Sequence, residues 1–176
     1  MQQAIKEAAS EGDSLGGVLE TAVTGLPAGV GEPWFDSLEG VLSHAIFSIP
    51  AVKGIEFGAG FAFADMKGSD ANDAFSMNDG KVSTLTNNNG GINGGISNGM
   101  PLLFRSVIKP TPSIYKEQDS VDMLNGENIK LQISGRHDPA IIHRARVVVD
   151  SVCALVLADM LALRYGTDWL GPDDKR

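Results

Sequence analysis

The sequence predicts one α/β domain of the α+β type, in which a mixed or antiparallel sheet is covered by helices. Four segments have the apolar alternation, or the apolar and β-branched composition, that is typical of strands. Apolar residues spaced by three and four over 35–49 indicate an amphipathic helix, and an apolar stretch over 140–165 indicates a second, longer helix. The predicted strands lie at about 15–26, 53–66, 100–108 and 128–134.

The first part of the chain predicts a short helix followed by a strand. Residues 2–11 have helical composition, and the cluster Gly12-Asp13-Ser14 indicates a turn after them. The next segment, 15–26, mixes glycine with Val and Thr and stops at Pro27, as a strand would. The amphipathic helix over 35–49 must end before Pro50, because a residue that precedes proline is pushed out of the helical region.

The middle of the chain contrasts a strand with a long polar segment. Glycines at 54, 58 and 60 interrupt the apolar run from Lys53 to Met66, which predicts a strand with a bulge. Residues 67–99 repeat Gly, Asn, Asp and Ser and contain few large apolar residues. We interpret 67–99 as a flexible polar active-site loop, because a long aperiodic segment within a compact domain is usually functional or disordered.

The last third predicts two strands and a long helix. Residues 100–108 are apolar enough for a buried strand, whereas Ile129, Leu131 and Ile133 alternate with polar residues, as in a half-exposed strand. The final helix is apolar almost all round over 147–163, so we expect it to be buried in the core or against another subunit.

Composition limits the classes of function. The 176 residues, 1–176, fit a single domain, and their net charge of −8 argues against nucleic acid as a partner. Cys153 is the only cysteine, so no intrachain disulfide forms and a reducing compartment is expected. The first residues have no signal-peptide character and no apolar run spans a bilayer, which predicts a cytoplasmic protein without membrane contact. His, Cys and acidic residues lack the spacing of a metal site, so no metal is expected.

Three polar signatures stand out from this background. Gly135-Arg136-His137-Asp138-Pro139 lies between a predicted strand and the long helix, where α/β folds bind ligands and helix dipoles favour anions. An arginine beside an aspartate offers an anion clamp and a proton acceptor, although a solvated helix-capping pair is an equally good interpretation of the residues alone. We expect His137 to pack or to orient its neighbours.

The other two signatures are a proline-rich strand exit and an asparagine-glycine segment. In Lys109-Pro110-Thr111-Pro112-Ser113, two prolines fix the backbone and leave a cation and two hydroxyls on a rigid turn. From Thr86 to Gly95 the chain reads TNNNGGINGG, and such residues adopt positive φ and present backbone donors closely. Composition alone favours a plain strand exit for the first signature and disorder for the second.

In this order and at about this separation, the three signatures resemble the carboxy-terminal half of the chorismate synthase family, over nearly the whole chain. The resemblance implies a β-α-β layered sandwich. It also implies an enzyme, a carbon–oxygen lyase that removes phosphate from 5-enolpyruvylshikimate 3-phosphate by anti-1,4-elimination and yields chorismate, the last step of the shikimate pathway, which feeds aromatic amino acid biosynthesis. Reduced FMN is the expected cofactor, and a homo-oligomer, a tetramer in the family, is the expected assembly.

The resemblance also implies residue roles. Arg136 matches a residue that contacts FMN, and Asp138 matches a proposed proton-transfer group beside the flavin; these two are the catalytic candidates. Asn89 and Asn93 depart from the family's pattern in the asparagine-glycine segment. The residues that match flavin contacts are Pro50, Ala51, Gly94, Lys109, Pro110, Thr111, Pro112, Ser113 and Arg136.

Weaker matches extend towards the start of the chain. The stretches 11–17, 31–36 and 48–54 are similar to further motifs of the family. Asp13 and Ser14 could suggest a nucleophile pair, but glycine-rich turns are far commoner than catalytic serines.

The family's amino-terminal half supplies histidines and arginines that this sequence lacks. We therefore expect the isolated chain to be inactive. The alternatives are a non-catalytic flavin- or anion-binding module and an oligomerisation module derived from the same fold.

Overall fold

A computed structural model describes residues 1–167 and contains helices around one small central sheet. The α-helices are α1 (Gln2–Ser10), α2 (Leu38–Phe47), α3 (Gly68–Ala71) and α4 (Ile142–Tyr165). The strands are β1 (Gly17–Val23), β2 (Val52–Phe57), β3 (Phe75–Asn78), β4 (Lys81–Thr84), β5 (Ile92–Asn93), β6 (Ile96–Ser97), β7 (Leu102–Ile108), β8 (Gln118–Asp122) and β9 (Glu127–Leu131).

The central sheet is antiparallel, as predicted, and its strand order is β1-β7-β2. In the middle strand, Phe104 is opposite Thr21 of β1 and Phe57 of β2. The remaining strands form three separate hairpins, β3–β4, β5–β6 and β8–β9. The fold is therefore α+β, with β7 as the middle strand of its central sheet.

Helices α2 and α4 cover one face of the sheet. Every second residue of β7 is buried, and the apolar ones, Leu102, Phe104 and Ile108, share one core cluster with Leu42 of α2 and Val149 of α4. The alternate residues, such as Arg105, are on the opposite face, where neither helix packs. The predicted covering by two helices is confirmed for this face.

The predicted strand over 53–66 is too long. Strand β2 ends at Phe57, and Gly60–Asp65 forms a 3-10 helix instead. The cause is Gly58, whose φ of +54° turns the chain away after its N–H donates to the Leu103 carbonyl at 2.9 Å. The predicted bulge is present, because the register of β2 against β7 shifts between Val52 and Gly54.

The polar segment 67–99 contains regular structure that composition did not predict. Helix α3 and the hairpins β3–β4 and β5–β6 lie within it. Asp79 and Gly80, with φ of 50° and 75°, form the β3–β4 turn, as expected for an Asp-Gly pair in a two-residue hairpin loop. The flexibility of residues 67–99 stays a prediction.

Two further expectations need correction. The predicted strand over 128–134 is β9, which pairs with β8 and not with the central sheet. Helix α4 is not buried all round, since Val149 and Cys153 are buried whereas Val147 and Leu155 are 61% and 71% exposed. No helix within residues 1–167 has the length and apolar character needed to cross a membrane.

Candidate functional site

Most of the predicted flavin contacts lie at one end of β7. The strand ends at Ile108, which is opposite Val52, and the next backbone N–H, of Lys109, donates to the Ala51 carbonyl at 2.9 Å. Pro50 and Ala51 therefore lie beside Lys109 and Pro110. Ala51 has a φ of +72°, an unfavourable conformation for a residue other than glycine, and such strain is concentrated at functional sites.

The loop after β7, residues 109–113, is held through its carbonyl groups. The Ser14 hydroxyl donates to the Thr111 carbonyl at 2.6 Å, and the Gln118 amide donates to the Pro112 carbonyl at 3.0 Å. The Thr111 hydroxyl is buried and has no hydrogen-bond partner among the described residues. An unpaired buried hydroxyl calls for an explanation, and a bound ligand or water that reached it would satisfy it.

The Gly135–Pro139 loop reaches the same end of β7. The Leu15 N–H donates to the Pro139 carbonyl at 2.8 Å, and Gly17, two residues further on, pairs with Ile108. The loop leads into α4, whose N-terminus is therefore at this end as well. The signature precedes the helix, as predicted, but the strand before it, β9, pairs with β8 and not with the central sheet.

His137 and Asp138 have different surroundings. The His137 ring packs edge-on against Tyr115, with ring centroids 4.6 Å apart, and its Nε2 is 3.2 Å from the Ile133 carbonyl oxygen. The packing role expected for His137 is confirmed. The Asp138 carboxylate accepts from the Ala140 N–H at 3.2 Å and lies 3.3 Å from the Arg144 guanidinium, so it is fixed at the start of α4.

The Gly135–Pro139 loop and the start of α4 line a cleft, and residues of both loops line a smaller cavity beside it. The cleft has a volume of about 480 Å³, and the cavity beside it, of about 40 Å³, is lined in part by Ser113, His137 and Asp138. Ser113 and Asp138 are thus brought together. The cleft is lined by Arg136, His137, Asp138, Pro139 and Arg144.

The charges at this end suit an anion. Lys109 and Arg136 are exposed, and neither makes an ion pair within the part of the chain that the structure describes. Arg144 adds a third cation, shared with Asp138. Unpaired guanidinium and ammonium groups beside hydroxyls and a helix N-terminus form a suitable surface for a phosphate.

Gly94 is the exception, because it lies at the opposite end of β7. Its neighbour Gly95 accepts from the Leu38 N–H at 2.9 Å, at the start of α2, whereas Pro50 follows the end of that helix. The seven residues of β7 separate the two ends by about 20 Å. Gly94 has a φ of +59° and open space around it, so its backbone is accessible to a ligand.

Sequence analysis did not identify Asp73, which organises the asparagine-glycine segment. This carboxylate is 5% exposed and accepts from the Thr86 hydroxyl at 2.7 Å and from the Asn88 and Asn89 N–H groups at 2.7 and 2.8 Å. Burial, the largest influence, raises the pKa of Asp73, but these hydrogen bonds together hold the pKa below its ordinary value. No local sequence signal marks such an acceptor.

The fold and this site define an α+β domain with a cleft that carries Arg136 and Arg144 at one end of its central strand. A sequence model of the family described as "Chorismate synthase" matches residues 1–162. The chain therefore belongs to the chorismate synthase family.

Individual relatives agree with the family match. A chorismate synthase of Dehalococcoides mccartyi (strain BAV1) is 54% identical over 162 residues, which are 92% of this chain and 44% of the relative. One of Methanosarcina mazei is 51% identical over 166 residues, which are 94% of this chain and 45% of the relative. The chain thus spans less than half the length of the curated relatives that it matches.

A solved structure shows the same fold. The "Crystal Structure of Chorismate Synthase" superposes with a TM-score of 0.75 at 32% sequence identity, over 94% of this chain and 42% of that chain. The predicted fold class, an α+β fold of the chorismate synthase type, is confirmed.

Proposed function

We propose that this chain supplies the flavin side of a chorismate synthase active site. In that site, 5-enolpyruvylshikimate 3-phosphate would lose phosphate by anti-1,4-elimination with the help of reduced FMN. The observation that supports the proposal is the convergence of the Lys109–Ser113 and Gly135–Pro139 loops at one end of β7. A cytoplasmic homo-oligomer is part of the same proposal.

The residues at this end fit FMN. Lys109 and Arg136 are cations without an ion pair in residues 1–167, and the Thr111 hydroxyl is a buried group without a partner there. These groups would hold the phosphate and the polar edge of the flavin, while Ala51 packs against it. Reduced FMN, when bound, supplies the electron-rich ring that the elimination requires.

The chain's own residues would then bind, orient and move a proton. Arg136 would bind a negatively charged group by charge-assisted hydrogen bonds. Asp138 would accept a proton at its carboxylate, while Arg144 and the Ala140 N–H keep that carboxylate in place. The cluster of cations that a substrate with three acidic groups needs is not complete in this chain, which is why we propose that turnover requires the rest of the family's length.

FMN titration of the Arg136→Ala variant tests the binding part. Loss of a charge-assisted contact is expected to cost about 1.5–3 kcal/mol, so the Kd should rise about 10- to 150-fold. Arg164→Ala is the matched control, because Arg164 lies near the far end of α4, about 30 Å from its start. Equal Kd values for both variants would contradict the assignment of Arg136.

A reconstitution experiment tests the catalytic part. The chain alone should show no turnover, and the amino-terminal half of the Dehalococcoides mccartyi relative should restore chorismate formation when the two parts are mixed. Asp138→Asn should then bind FMN nearly as tightly as the wild type but lose turnover. FMN binding without turnover in the mixture would favour the alternative, a non-catalytic flavin-binding module. Robust turnover by the chain alone would refute the proposed division of roles.

A further inference from the structure

We propose that Ser14 is a positioning residue that ties the two loops of the candidate flavin site into one rigid unit. This inference rests on the proposed function. It concerns the turn at residues 12–15, named here the bridging segment, which joins α1 to β1. Nothing in the catalytic proposal uses this segment.

The Lys109–Ser113 loop needs an external support. Prolines at 110 and 112 have no N–H, so at these two positions the backbone offers only a carbonyl group for an anchoring hydrogen bond. The Thr111 carbonyl at its centre accepts from the Ser14 hydroxyl at 2.6 Å. Ser14 is 9% exposed, so water does not readily replace this bond.

The bridging segment contacts the second loop through the next residue. The Leu15 N–H donates to the Pro139 carbonyl at 2.8 Å. Two consecutive residues therefore hold the Thr111 and Pro139 carbonyls, one on each loop. The two donor atoms, the Ser14 Oγ and the Leu15 N, are only four covalent bonds apart, so these two contacts restrict the spacing between the loops.

The other half of the bridging segment secures the flank of the first loop. The Tyr115 N–H donates to the Gly12 carbonyl at 3.0 Å, and the Lys116 ammonium lies 2.7 Å from the Asp13 carboxylate. The hydrogen bond from Lys116, together with a bond from the Ser14 N–H, lowers the pKa of Asp13, so this carboxylate stays charged. All four residues of the segment thus contact the site's loops or their flank.

A nucleophilic role for Ser14 does not fit these contacts. Its hydroxyl donates to a carbonyl, and the nearby imidazole, of His137, has its Nε2 at the Ile133 carbonyl. A nucleophile needs a base within hydrogen-bond reach, and Ser14 has none among the described residues.

The test compares three variants of the full chain by FMN titration and by amide hydrogen exchange. Ser14→Ala removes the donor, and Ser14→Thr keeps the hydroxyl at a residue that lines the adjoining cavity of about 40 Å³. Ser151→Ala is the control, because the Ser151 hydroxyl also donates to a carbonyl, that of Val147 at 2.7 Å, on the exposed face of α4.

We expect Ser14→Ala to raise the Kd for FMN about tenfold, the effect of one net hydrogen bond, and Ser14→Thr to restore it. The amides of Leu15 and Tyr115 should exchange at least tenfold faster in Ser14→Ala, while the Phe104 amide in β7 is unchanged. Ser151→Ala should match the wild type in both measurements.

Two results would overturn the proposal while the proposed function stands. One is an unchanged Kd in Ser14→Ala. The other is uniformly faster exchange that includes Phe104, which would mean general destabilisation and no local role. If the wild-type chain binds no FMN, alone or with the amino-terminal half, the proposed function fails, and the flavin-positioning role of Ser14 fails with it.

Discussion

Replacing Asp73 by Asn should destabilise the domain strongly, although the two side chains have nearly the same shape. The wild-type carboxylate is 5% exposed and accepts four hydrogen bonds, from the Thr86 hydroxyl, the Asn88 N–H, the Asn89 N–H and the Asn89 side-chain amide, at 2.7–3.0 Å. In Asp73→Asn one oxygen becomes an NH₂ group that faces donors. At most half of these bonds can then survive.

The magnitude follows from the bonds that are lost. A hydrogen bond to a charged group contributes about 1.5–3 kcal/mol, and bonds to one segment are not additive. We therefore expect the free energy of unfolding to fall by about 3 kcal/mol, or the Tm by roughly 6–12 °C for a domain of this size. Urea unfolding followed by circular dichroism measures this change in the free energy of unfolding. Asp119→Asn is the control, because the Asp119 side chain is 87% exposed and its ion pair with Lys130 should contribute at most about 1 kcal/mol.

The pH dependence provides a second measurement of the same contact. The folded-state pKa of Asp73 is below its ordinary value of 3.8, so its contribution is fully present above that value and is lost as pH falls through the folded-state pKa. The stability difference between the wild type and Asp73→Asn should therefore narrow as pH falls below about 4. A difference below 1 kcal/mol at neutral pH, or one that does not narrow in acid, would refute this account of Asp73.

Three further predictions concern association, local opening and the glycines of two turns. The chain should be a dimer or larger by light scattering at micromolar concentration, because apolar residues such as Leu155 are exposed on α4. Leu155→Glu should shift the chain towards monomer, and a wild-type monomer at high concentration would contradict the prediction. Amides in 67–92 and 112–125 should exchange faster than those of α4 and slow when FMN binds, whereas protection equal to that of α4 would be contrary evidence. In urea unfolding curves, Gly58→Ala should lower the free energy of unfolding by more than about 3 kcal/mol and Gly80→Ala by about 1 kcal/mol. Both glycines have positive φ, but an added Cβ at Gly58 would lie 1.9 Å from a backbone oxygen, so similar losses of free energy would contradict the prediction.

Helix α2 could be predicted because its apolar residues recur at three and four, whereas β7 and α4 could be predicted because each is a run of apolar residues of suitable length. The alternate burial of residues along β7 is seen only in the structure, because the sequence of the strand does not alternate. Strand β8 could not be predicted from apolar alternation, since its hairpin with β9 packs on no core and Val121 is 57% exposed. The turn pair Asn125-Gly126 was the local signal available, and it indicates a hairpin only when both flanking strands are suspected.

The exposure of α4 shows a limit of periodicity. Its composition is apolar almost all round, which predicts burial but does not say what buries it. Within residues 1–167, α2 and β1 cover the side that carries Val149 and Cys153, and Leu155 remains exposed on the other. Burial in the core is thus shown for one face, and the other is the surface for which we predict self-association.

The candidate site was identified from its signatures, but its assembly depended on tertiary contacts. The β8–β9 hairpin separates the Lys109–Ser113 and Gly135–Pro139 loops along the chain, and the contacts of Ser14 and Leu15 show that both loops lie at one end of β7. No local pattern encodes a contact between residues that are 97 positions apart, as in the bond from Ser14 to the Thr111 carbonyl.

The position of Gly94 bears on the expectation, implied by the resemblance, that Gly94 and Arg136 contact the same FMN. Gly94 and Arg136 were assigned to one cofactor, yet β7 places their ends of the domain about 20 Å apart. A ligand that touches both must extend along the whole strand, or a second copy must supply one of the two contacts. The Arg136→Ala titration therefore tests FMN binding only at the end of β7 that carries the two loops. A separate substitution at Gly94 is needed to test its contact with the flavin.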